Sequence, residues 1–71
     1  MRGYCLNRLN AIEYMLETVD FVPIQKLRLV TKKNILKHLI EFKTYNNFAN
    51  LEELERYIED STDIVCGFYE D

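Results

Sequence analysis

Apolar residues recur at helical spacing through the first quarter of the chain. Cys5, Leu9, Ile12, Leu16 and Val19 follow one another at intervals of 4, 3, 4 and 3, which sets them in one stripe along a helix. Leu6 and Met15 widen the stripe, and Arg8, Asn10, Glu13 and Glu17 fall mostly outside it. The spacing predicts a helix over residues 4–19. Its stripe faces the chain's own core or a second copy, since coiled coils use the same a/d spacing. Asp20-Phe21-Val22-Pro23 ends this helix, because a residue before proline is pushed out of the α region. Pro23 suits the first position of a new helix, where its missing N–H costs nothing. A short second helix is expected from Pro23 to Leu29. Alternation around Val22, Ile24, Leu27 and Leu29 leaves a strand over 21–29 open.

Thr31 is a plausible N-cap for a third helix over 32–43, its hydroxyl accepting from a free N–H of the first turn. Ile35, Leu36, Leu39, Ile40 and Phe42 cluster on one side of that helix. Lys33, Asn34, Lys37, His38 and Glu41 cluster on the other. Residues 45–49 form a polar and aromatic connector, with Asn46 and Asn47 favouring a turn. Asn50 caps a fourth helix over 51–60, and Asn50-x-x-Glu53 resembles a capping box. Glu52 and Glu53 complement the helix dipole, and Leu51, Leu54, Tyr57 and Ile58 form the inner face. Residues 61–63 are expected to end this helix. Residues 64–69 are apolar and β-prone, which suits a strand paired with 21–29 or a tail laid over the core. The expected fold is mainly α, a single small domain over 1–71. It holds three to four short helices, with the two-stranded element (21–29 with 64–69) as an option.

Composition narrows the class. A chain of 71 residues buries only about 60% of its unfolded surface, so its core is marginal. Two glycines and one proline are too few for the turns of a sandwich or barrel, or for a glycine-rich phosphate cradle. A hydrophobic content of 48% is too high for a disordered tail. Cys5 and Cys66 read as reduced thiols, with a disulfide between them as the alternative. Arg2 is followed by no apolar run, so no signal peptide is expected. No stretch nears the roughly 20 apolar residues of a membrane span. A cytoplasmic location and no membrane partner are the expectation. Richness in Asn, Ile, Lys and Tyr suggests a phage or low-GC bacterial source.

Catalytic signatures are thin. His38 is the one histidine and Ser61 the one serine, and neither lies in a recognisable motif. Cys5, His38 and Cys66 lack the close pairing of a structural zinc site. The expectation is a non-enzyme without metal or cofactor. Charge carries more information. Residues 24–43 hold Lys26, Arg28, Lys32, Lys33, Lys37 and Lys43 against Glu41, a local charge of +5. Residues 44–71 hold eight acids against Arg56, a local charge of −7, within a net charge of −3. Separated charge of opposite sign is a partner signal that the overall balance hides.

Thr31-Lys32-Lys33-Asn34-Ile35-Leu36-Lys37-His38-Leu39 resembles the recognition helix of helix-turn-helix DNA-binding proteins. Thr31 fills the cap, Ile35 and Leu39 the two buried positions, and residues 23–29 stand where the preceding helix would be. Two departures are visible: Leu29-Val30 lies where the turn usually carries glycine, and Leu36 lies where a base-contacting polar residue is common. The resemblance implies a small regulator of transcription that binds double-stranded DNA, as a dimer. Lys32, Lys33, Asn34, Lys37 and His38 would face the groove, and Lys26 and Arg28 the backbone phosphates. The alternative is a protein-binding inhibitor or adaptor that meets a host or regulatory protein. It would act through the acidic helix, Glu52, Glu55 and Glu59, with Tyr57, Phe68 and Tyr69 as anchors.

Overall fold

The computed structural model describes residues 1–67. Three helices follow in order: α1 (Arg2–Thr18), α2 (Pro23–Glu41) and α3 (Leu51–Cys66), with a 3-10 turn over Thr44–Asn47 before α3. Among the described residues there is no strand. Residues 21–29 and 64–66 are almost wholly helical, which removes the expected two-stranded element over that span. Residues 68 and 69 of that element lie outside the described residues. None of the described helices is long and apolar enough to cross a membrane.

α1 forms as its spacing predicts and stops at Val19, whose backbone is extended. Val22 is extended as well, and Pro23 opens α2. The second and third expected helices are one unbroken helix of 19 residues, about 28 Å long. Thr31 is not a cap. It sits in mid-helix, where its hydroxyl donates to the Leu27 carbonyl at 2.8 Å. A threonine that bonds back to residue i−4 fits a helix interior, so a cap-like residue need not mark a boundary. Thr62 does the same for α3, donating to the Ile58 carbonyl at 2.7 Å. α3 runs through 61–63 to Cys66 instead of ending there.

Asn50 is the cap that the sequence predicts. Its side chain accepts from the Glu53 N–H at 2.9 Å, and the Glu53 carboxylate accepts in turn from the Ala49 N–H at 2.9 Å. α2 closes on Phe42, followed by Lys43 in the left-handed region at φ 56°. Glycine usually holds such a position after a helix.

α2 is the middle element and packs against both α1 and α3. The core gathers Cys5 and Ile12 of α1, Leu36 and Leu39 of α2, Tyr45 of the 3-10 turn, and Leu54 and Ile58 of α3. Thr62 and Cys66 are fully buried too. Both cysteines are free thiols, and burial pushes the Cys5 thiol up from its ordinary value. Several expected inner residues face solvent: Val19, Phe42, Leu51 and Tyr57 are all exposed. Three short helices do not enclose every position on an apolar stripe, and its margins stay wet.

Candidate functional site

The basic residues of α2 meet the acids of its two neighbours. Arg28 donates to Asp63 Oδ1 at 2.7 Å and lies 3.7 Å from Glu59 Oε2. That hydrogen bond is the main reason the Arg28 guanidinium is raised above its ordinary pKa. Lys32 Nζ lies 2.6 Å from Glu59 Oε1, with its side chain only 16% exposed. Lys37 Nζ reaches Glu13 Oε1 of α1 at 3.8 Å. Lys33 shares a depression with Glu13, Leu16 and Glu17. Arg28, Lys32 and Lys37 of the basic segment are thus paired with carboxylates in space.

The other residues expected to face DNA are Lys26, Asn34 and His38. Lys26 is exposed near the start of α2. Asn34 and His38, both exposed, line a groove between α2 and α3. The groove is open, about 400 Å³, and is completed by Thr31, Ile35, Leu39, Tyr57 and Val65. Its walls are set by packing. The Tyr57 ring rests on Phe48 with centroids 5.1 Å apart, and the His38 ring on Phe42 at 4.5 Å. The Thr31 hydroxyl is engaged by Leu27 and lies 3.8 Å from the Cys66 thiol. The wall chemistry is therefore mainly aliphatic and aromatic, with Asn34 and His38 as the polar edge. Ile64, 68% exposed, lies on α3, and Phe42, 60% exposed, stands at the end of α2.

The residues expected to meet a protein divide similarly. Glu59 serves Lys32 and Arg28. Glu55 accepts from the Tyr4 hydroxyl at 2.9 Å, tying α3 to α1. Glu52 lies 4.0 Å from Arg56. Tyr57 is the one member of that set within the groove, and Phe68 and Tyr69 lie outside the described residues. The sequence reading missed Ile35 and Leu39 as groove walls, because it assigned both wholly to the core. It missed Val65 because residues 64–69 read as a strand. Extending the period of Leu54 and Ile58 by two more turns would have put Val65 on the groove side.

Among the described residues, no cluster of three His, Cys, Asp or Glu side chains has the arrangement of a metal site. Comparison with protein-family models, with curated proteins and with solved structures returns no match.

Proposed function

We propose that this chain is a small non-enzymatic protein-binding module, and that its contact surface is the α2/α3 groove. The observation that carries this reading is the preformed apolar groove, lined in part by the exposed Tyr57 and Val65. Exposed apolar area gathered round a concavity marks an interaction site more often than scattered apolar residues do. The position of the basic groups also favours it over duplex binding. Arg28, Lys32 and Lys37 would have to leave carboxylates of α1 and α3 to meet phosphates. Lys26, Lys33 and Lys37 recur at intervals of 7 and 4 on α2, which gives one basic stripe. Glu13 and Glu17 lie against its middle.

A photo-reactive amino acid at position 65, in the native cell, tests the proposal. A discrete cross-linked protein is expected there, and none from position 26. Labelled duplex DNA, titrated at about 50 and 200 mM salt, tests the competing reading. The module reading fails if position 65 gives no adduct. It fails also if duplex DNA binds at the lower salt and Lys33→Glu with Lys37→Glu abolishes that binding.

A further inference from the structure

We draw no further inference here: the strongest candidate, the open apolar groove between α2 and α3, belongs to the site already described, and nothing in the structure shows what covers it.

Discussion

Glu59→Gln probes the claim on which the functional reading turns, that Lys32 and Arg28 of α2 are committed inside the molecule. Glu59 lies 2.6 Å from Lys32 Nζ and 3.7 Å from Arg28. Exposed ion pairs are worth about 0.2–1 kcal/mol, whereas breaking a fully buried pair costs about 3–5 kcal/mol. Here one partner is 16% exposed and the other 49%, so the loss falls between, at about 1–2 kcal/mol. Arg28 keeps its shorter bond to Asp63 and adds little to the loss. For a domain of this size, that loss lowers the thermal midpoint by about 5–15 °C. Asp60→Asn, one position along on the exposed face of α3, should stay within about 0.5 kcal/mol. Lys32→Met combined with Glu59→Gln closes a double-mutant cycle, with an expected coupling near 1 kcal/mol. The measurements are thermal melts by circular dichroism at about 0.1 M salt and again at about 1 M. In the higher salt most of the coupling should survive, because Lys32 is covered and poorly screened. A Glu59→Gln midpoint matching that of Asp60→Asn, with coupling below about 0.3 kcal/mol, would refute the reasoning. Lys32 would then be a solvated cation available to a partner, and the case for duplex DNA would regain its main residue.

Leu54 is fully buried, and Leu54→Ala should cost about 3–4 kcal/mol. The whole chain holds roughly 4–10 kcal/mol, so urea titration should show a large fall in midpoint; a loss under about 1 kcal/mol would contradict the assigned core. Asn50→Ala removes the cap of α3 and should cost about 1 kcal/mol by the same titration, with a cost near zero counting against the capping geometry. Lys43→Gly should stabilise by about 0.5–1 kcal/mol, since φ 56° strains a residue that carries a Cβ; a less stable variant would dispute that conformation. Burial first, then the hydrogen bond to Glu55, pushes the Tyr4 phenol up to about 12. The protonated phenol is thus favoured by folding. Its contribution is complete below about pH 10 and is lost as pH rises toward about 12. Tyr4→Phe should flatten stability against pH in that window. Glu55→Gln should lower the phenol's midpoint only in part, since burial remains, and an unchanged phenolate titration would exclude the contact.

Much of the local structure is legible in the residues themselves. Pro23 opens α2 because its ring fixes φ and removes a donor that would have gone unused. Asn50 opens α3 because its short side chain reaches the Glu53 N–H. The 4-3-4-3 stripe of α1 names Cys5 and Ile12, and both are buried. The two helix starts depend on neighbours within one turn, so sequence alone determines them; the stripe names candidates, and packing buries Cys5 and Ile12 but not Val19. Tertiary structure decided three other things. Thr31 and Thr62 look like boundaries, yet each bonds back to its own helix, and the helix continues because packing rewards its continuation more than a cap would. The candidate site exists only where Ile35 and Leu39 of α2 meet Tyr57 and Val65 of α3, pairs too distant in sequence for any periodicity to join them. Charge is the clearest case. Along the chain, Arg28 and Lys32 belong to a basic segment and Glu59 and Asp63 to an acidic one. In the fold they are partners, because Coulomb attraction depends on separation through space, and only the docking of α3 on α2 sets that separation.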